Sequence, residues 1–298
     1  MKPVRIGTSL EGGTFHSQGV ALAALLAGRG IPAEALVTPR SGAANAMRLE
    51  ADEIDFGFIA ANWVGRARRG ERPFVEPLAI RMVAPMNIGP LYFIARADSG
   101  LASVRDLRGK RVVVGPRNGG MASHAQVILG ALGMGFSDIT PVYLEFAEGG
   151  EAVASGAADA QLQCPIPNDL IDDLDSRVDL RVLDFTPEDI ARVLAASPVH
   201  RGTIMKAGAL RALDEDSRQP AVLNVLITHE RVSRQMVRDI VGSLFFGARD
   251  LGKANPLFEG LAELFLPLRT HGAAAFTVDG VPLHDGAVDA CRAARFIR

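Results

Sequence analysis

The chain has 298 residues, 48% of them apolar, with 32 Lys and Arg against 34 Asp and Glu and a formal net charge of -2. That is enough to build two α/β domains or one large one. Interspersed charges and only 6% aromatics exclude a broad basic face for nucleic acid and stacking platforms for bases. Cys164 and Cys291 cannot make a disulfide framework, and no run of about 18 apolar residues is present to span a membrane.

The opening strand, Val4 to Ile6, runs into GTSLEGGTFHSQG (Gly7 to Gly19), and a helix is expected from near Ser17. A glycine loop at a helix start offers bare N–H groups and the positive end of the dipole to an anion. Gly7, Gly12, Gly13 and Thr14 have the spacing of a phosphate-binding loop. Gly13 replaces its lysine, however, which favours simple anion capture over phosphoryl transfer. Leu22, Leu25 and Leu26 form a helical stripe ending at Gly28 to Gly30, and a strand follows at Ala33 to Val37. Arg40 to Arg48 reads as a loop entering a helix, and Ile54 to Ala60 as a strand closed by Asn62 and Trp63. The right-handed crossover makes this βαβαβ unit parallel and puts Gly7 and Asn62 on one ligand-taking edge. Arg66 to Arg72 reads as a solvated loop.

The same order returns from Val112, in VVVGPRNGGMASHAQVILGAL. A strand at Val112 to Val114 leads to a helix with Ala125, Ile128, Leu129 and Leu132 on one face. A strand at Val142 to Leu144, a helix from Gly149 and a strand from Asp159 follow. ADEIDFGFIAAN around Asp55 is echoed by SGAADAQLQCPIPN around Asp159. Ile88 to Ala95 is expected to cross between domains. Ala221 to Thr228 returns, after a turn-rich Asp214 to Pro220 and before a helix with Val232, Met236, Ile240 and Leu244 on one face. The predicted fold is α/β: two similar lobes, each a central, mostly parallel sheet flanked by helices, joined by two crossing hinge strands. Lobe I comprises residues 1–90 and 226–298, lobe II residues 91–225, and hinge closure on a ligand is the expected motion.

Candidate ligand contacts follow from the two loops. In the first they are the N–H groups of Gly13, Thr14 and Phe15, the Thr14 hydroxyl, Ser9, and His16, which is otherwise a surface histidine. Asn62 can orient a ligand, and Trp63 supplies either an apolar wall or core packing. Asn118, Gly119, Gly120, Met121 and Ala122 form the second loop, with Cys164, Pro167 and Asn168 at the equivalent strand end. Arg81, flanked by apolar residues, is the first candidate to clamp a carboxylate and Arg117 the alternative. A Cys164 nucleophile with His16 or His124 is the enzymatic reading. No serine-nucleophile elbow or metal-type His and Cys spacing accompanies it, and His200, His229, His271 and His284 are scattered. Neither a metal nor a cofactor is expected.

Gly7 with GGTFHSQG, the Ala95 to Gly120 stretch ARADSGLASVRDLRGKRVVVGPRNGG, EFAEGGEAVASGAADA (Glu145 to Ala160), AVLNVLITHERV and VPLHDGA (Val281 to Ala287) together resemble the TAXI-type solute-binding proteins of TRAP transporters. The resemblance implies the type II periplasmic-binding-protein fold, no catalysis, and delivery of a small acidic metabolite, amino-acid-like, dicarboxylate or oxo acid, to a TRAP-type permease. It also implies a location outside the cytoplasm. Met1, Lys2 and Pro3 lead straight into the first strand, so a removed leader or a cytoplasmic sensor or scaffold are the two expectations. Where the family commonly has Ser-Gly-Thr, this chain has Gly119, Gly120 and Met121, and Phe15, His16 and Ser17 replace a Tyr-Tyr-Pro. Two hydroxyl donors are thereby lost, which points to a ligand more apolar or less charged than glutamate.

Overall fold

The computed structural model describes residues 2–39, 42–163 and 166–297. Arg40 and Ser41, in the expected helix entry, and Cys164 lie outside the described residues. The chain divides into two compact units, Met1–Asn87 with Leu223–Arg298, and Ile88–Val222. The first begins β1 (Val4–Gly7), α1 (Thr14–Ala27), β2 (Ala33–Leu36), α2 (Ala43–Glu50), β3 (Phe56–Ala60), α3 (Ala61–Arg69) and β4 (Ile80–Pro90). The second holds β5 (Tyr92–Arg96), β6 (Arg111–Val113), α4 (Gly120–Ala131), β7 (Thr140–Val142), α5 (Phe146–Ala154) and β8 (Ala160–Gln163). It continues with α6 (Asp169–Arg177), β9 (Leu180–Val182), α7 (Pro187–Ala196), β10 (His200–Met205) and the start of β11 (Ser217–His229). The chain then completes the first unit with α8 (Arg234–Ala254), α9 (Leu261–Leu264), α10 (Pro267–His271) and α11 (Asp285–Ala293).

In the first sheet, β2, β1 and β3 are parallel and Asn224 to Thr228 of β11 runs antiparallel to β3. The Ser217 to Val222 half of β11 pairs with β10, and β4 also pairs β11. The second sheet repeats the plan: β7, β6 and β8 are parallel, and β5 is antiparallel to β8 and then to β9. Even the edge bond recurs. Arg5 donates its N–H to Asp55 at 2.8 Å and its guanidinium to both carboxylate oxygens, at 3.1 and 2.8 Å. Arg111 does the same to Asp159 at 2.7, 3.2 and 2.7 Å. The Arg111 side chain holds the Asp159 carboxyl below its ordinary value. Each acidic turn thus ties the strand after it to the first strand of its parallel set.

Periodicity explains the helices. Leu22 and Leu26 are fully buried in α1, which stops at Gly28 and turns through Gly30 at φ 78. In α8 the buried stripe is Val237, Ile240, Val241, Leu244, Ala248 and Leu251, and Ser233 caps it by accepting the Met236 N–H at 3.2 Å. Val232 precedes that helix, contrary to its expected place on the face. Boundaries also differ: β7 is Thr140–Val142 rather than Val142 to Leu144, and α5 starts at Phe146 rather than Gly149. Ile88 to Ala95 is not one strand: β4 ends at Pro90 and β5 starts at Tyr92, while the Leu91 N–H turns aside to Pro220 O at 2.8 Å. The expected turn before Ala221 is already strand from Ser217, with Pro220 paired opposite Gly202.

Candidate functional site

In the first unit, the parallel strands leave Gly7 and Gly57 in register, so the loop after β1 and the start of α3 share one sheet edge. The buried Thr8 anchors the loop, donating its N–H and hydroxyl to Leu36 O at 3.0 and 2.9 Å. Its Oγ1 also lies 3.3 Å from His16 Nδ1. Ser9 Oγ accepts the His16 N–H at 3.1 Å. Gly12 has φ 77, and Gly13 is the extended N-cap of α1 with no side-chain cap. The helix therefore starts at Thr14, not near Ser17. Gly13 N–H closes the turn onto Leu10 O at 3.1 Å, which removes it from the candidate donors. Thr14 and Phe15 occupy the first helical positions, whose N–H groups have no intrahelical acceptor. The Phe15 ring stacks on Phe58, with centroids 5.7 Å apart.

The second unit builds the same device after β6. Asn118 has φ 62, Gly119 is the extended N-cap, again without a side-chain cap, and its N–H donates to Pro116 O at 2.8 Å. Gly12, Gly13 and Thr14 thus correspond to Asn118, Gly119 and Gly120, one residue out of step with the two Gly-Gly pairs. Both caps need glycine. A Cβ at Gly13 would lie 2.6 Å from Ser9 Oγ, and one at Gly119 2.8 Å from Pro116 O. Met121 is half-buried and Ala122 buried at the helix start. Arg117 is exposed and lies over the Tyr143 ring, 4.0 Å from its centroid.

Several expected contacts are placed otherwise. Asn62 and Trp63 belong to the first turn of α3, because nothing between Ala60 and Ala61 interrupts the apolar run and the strand passes directly into a helix. Trp63 is core: it meets Phe74 edge-on at 6.2 Å, and Arg66 lies over its ring at 4.7 Å. Arg66 to Arg69 form the last turn of α3 rather than a loop, and Arg69 pairs with Glu71 and Asp279. Arg81 is not at the loop edge. It begins β4 beside Glu230, to which it is ion-paired at 2.5 Å. Glu230 follows the end of β11, where Thr228 is in register with Phe56, the first residue of β3. Arg81 therefore sits at the opposite edge with its charge already answered. Asn168 caps α6, accepting the Ile171 N–H at 3.0 Å, and Pro167 lies in the preceding bend, beyond the end of β8.

Two arrangements escape sequence reasoning. Asn45, fully buried on α2, donates from Nδ2 to Thr8 O and Phe58 O, both at 2.8 Å, and to Gly7 O at 3.3 Å, clipping the ends of β1 and β3 below the loop. The available signal was an asparagine on the helical face of Leu49. His124 of α4 and His200 of β10, 76 residues apart, are buried and share a hydrogen bond of 2.9 Å. Burial pushes His124 down to about 3, with the neighbouring His200 adding to it, and pushes His200 down to about 4, with Arg201 adding to it. Among the described residues, no group of three or more His, Cys, Asp or Glu could hold a metal ion, and no helix is long and apolar enough to cross a membrane.

The fold is that of the type II periplasmic binding proteins. A protein described as the periplasmic sulfonate-binding protein SsuA of a sulfonate ABC transporter from Methylobacillus flagellatus KT is similar at TM-score 0.59 and 16% identity, over 99% of this chain and 96% of that one. The aliphatic sulphonate binding protein SsuA from Escherichia coli gives 0.54 and 16%, over 100% and 89%. A histidine kinase sensor domain gives 0.54 and 15%, over 87% and 96%. The chain belongs to the NMT1-like family, whose model matches residues 6–291.

Proposed function

We propose that the protein is a non-catalytic solute-binding receptor that works outside the cytoplasm. It takes a small carboxylate-bearing metabolite and delivers it to a membrane permease, of TRAP type by the sequence resemblance. The observation that carries this reading is the duplicated, glycine-capped helix start at Gly13 and Gly119. A helix whose N-cap has no side-chain acceptor keeps its first N–H groups for an anion. In the first unit the candidate contacts are the Thr14 and Phe15 N–H groups, the Thr14 hydroxyl, Ser9, His16 and Asn62. In the second they are Gly120, Met121 and Ala122, with Asn118 and Arg117. Arg117 takes the role expected of Arg81, since none of the ion pairs among the described residues engages it.

The test is the melting temperature of protein unfolded and refolded to strip carried ligand, measured against amino acids, dicarboxylates, 2-oxo acids and aromatic carboxylates. A ligand at about a hundred times its dissociation constant stabilises by roughly 2.7 kcal/mol, a rise of several degrees. A panel without any shift, together with no difference between purified and refolded protein, would sink the reading. The likeness to a histidine kinase sensor domain favours a second reading, a ligand sensor. It predicts the same melting shifts but co-purification with a signalling partner instead of a permease.

A further inference from the structure

The longest helix, α8, packs one stripe into the first unit and presents the opposite face to solvent. Arg238, Asp239, Phe246, Arg249 and Asp250 are all exposed along that face. Phe246 is 76% exposed, the one aromatic among the exposed large apolar side chains of the described residues. One turn before it, a Cβ on Gly242 would meet no atom within 4 Å. At about 100° per residue, both arginines lie roughly 40–60° to one side of the line midway between Gly242 and Phe246, and both aspartates roughly 40–60° to the other. Asp239 accepts a hydrogen bond from Gln235 at 2.7 Å, and Asp289 of α11 is paired with Arg234 and feels Arg238 only at longer range. None of the four flanking charges has an ion-pair partner among the described residues.

We propose that this face of α8 is where two copies of the chain associate, their helices parallel about a two-fold axis that runs along them. The charge pattern sets both the partner and its direction. Two identical helices facing each other antiparallel bring each edge against the same edge in any register, so aspartates would meet aspartates and arginines would meet arginines. Parallel helices bring each edge against the opposite one at the same height. Asp239 then meets the partner subunit's Arg238, and Asp250 meets the partner subunit's Arg249, each pair occurring twice by symmetry. Helical side chains lean toward the N-terminus, so the two Phe246 rings come together over the space left at Gly242. Lys253 continues the same line in the last turn, on the helical neighbour spacing from Asp250, which answers its charge. The apolar contact is one ring from each copy, so the association is weak. It rests on α8 alone and is independent of the solute.

Sedimentation equilibrium of the full chain at low salt, from about 5 to about 500 μM, is the test. Twice the chain mass is expected at the upper end, with dissociation as added salt screens the edge pairs. Phe246→Ser should weaken dimerisation at least tenfold. Asp250→Arg should weaken it about tenfold, because it sets an arginine against the partner subunit's Arg249 in both halves of the interface, and adding Arg249→Asp should restore it. An antiparallel pair would instead be strengthened by Asp250→Arg, and that result overturns the inference. A dimer that Phe246→Ser leaves intact overturns it as well. So does a chain that stays monomeric throughout, which would leave the face to a partner of another kind. The substituted side chains are exposed, so each variant should melt within about 2 °C of the wild type, and a change of mass then reads the interface rather than the fold.

Discussion

Asn45→Ala tests how the first loop is held. The side chain reaches Thr8 O and Phe58 O at 2.8 Å, and its Cβ and Oδ1 lie so close to Gly57 and Gly7 that a Cβ there would come within 3.0 and 2.6 Å. Truncation leaves two buried carbonyls without their donor. At about 1–3 kcal/mol for each unsatisfied group, the loss is roughly 2–6 kcal/mol. With about 2–4 °C per kcal/mol for a domain of this size, the melting temperature should fall by roughly 4–24 °C. Asn45→Asp keeps the volume and removes the N–H donors, so it should fall at least as far, which separates the hydrogen bonds from the packing. Differential scanning calorimetry of both variants is the assay. If both melt within about 1 °C of the wild type, the clip between β1 and β3 does not hold the loop and the reasoning fails.

Gly13→Ala and Gly119→Ala drive a methyl into Ser9 Oγ and Pro116 O. Each should weaken ligand binding at least tenfold by titration calorimetry, at a stability cost of about 1–3 kcal/mol. The histidine pair predicts a pH dependence. His124 and His200 are lowered in the folded protein from 6.5 to about 3 and about 4, so the unfolded chain binds more protons across that interval. Their stabilising contribution is therefore full above pH 6.5 and declines as the pH drops towards 4, by up to about 1.4 kcal/mol per pH unit for each histidine. Urea titrations between pH 7 and 5 should show the decline, and His200→Gln should roughly halve it. Asp159→Asn loses a half-exposed pair with Arg111 and should cost only about 1 kcal/mol, measured by urea midpoint. Cys164→Ala should leave ligand affinity unchanged, whereas a thiol-dependent enzyme would lose turnover.

Most of the fold was legible because its elements are short and punctuated. Leu22 and Leu26 mark α1, Gly28 ends it, and the Asp55 and Asp159 turns announce the third strand of each parallel set. The misread boundaries share one physical origin, the lack of local punctuation where tertiary pairing decides. FGFIAANWV carries no cap between β3 and α3, and Pro220 reads as a breaker although β10 holds it in a ladder. The glycine loops were visible, but the offset between Gly13 and Gly119 depends on φ at Gly12 and Asn118. Arg81 misled because apolar flanks report burial of a strand, not which end of it faces the loop. His124 and His200 were out of reach because only the packing of α4, α7 and β10 brings them together.

The placement of the Arg5–Asp55 and Arg111–Asp159 clamps has an evolutionary consequence. Both lie where the parallel strands begin, and both glycine loops lie where those strands end. On the proposed function, structural cohesion and ligand choice therefore draw on separate sets of positions within each unit. Substitutions at His16 or Met121 can explore new chemistry while the clamps stay untouched, so a lineage can change its diet without first having to re-stabilise its scaffold.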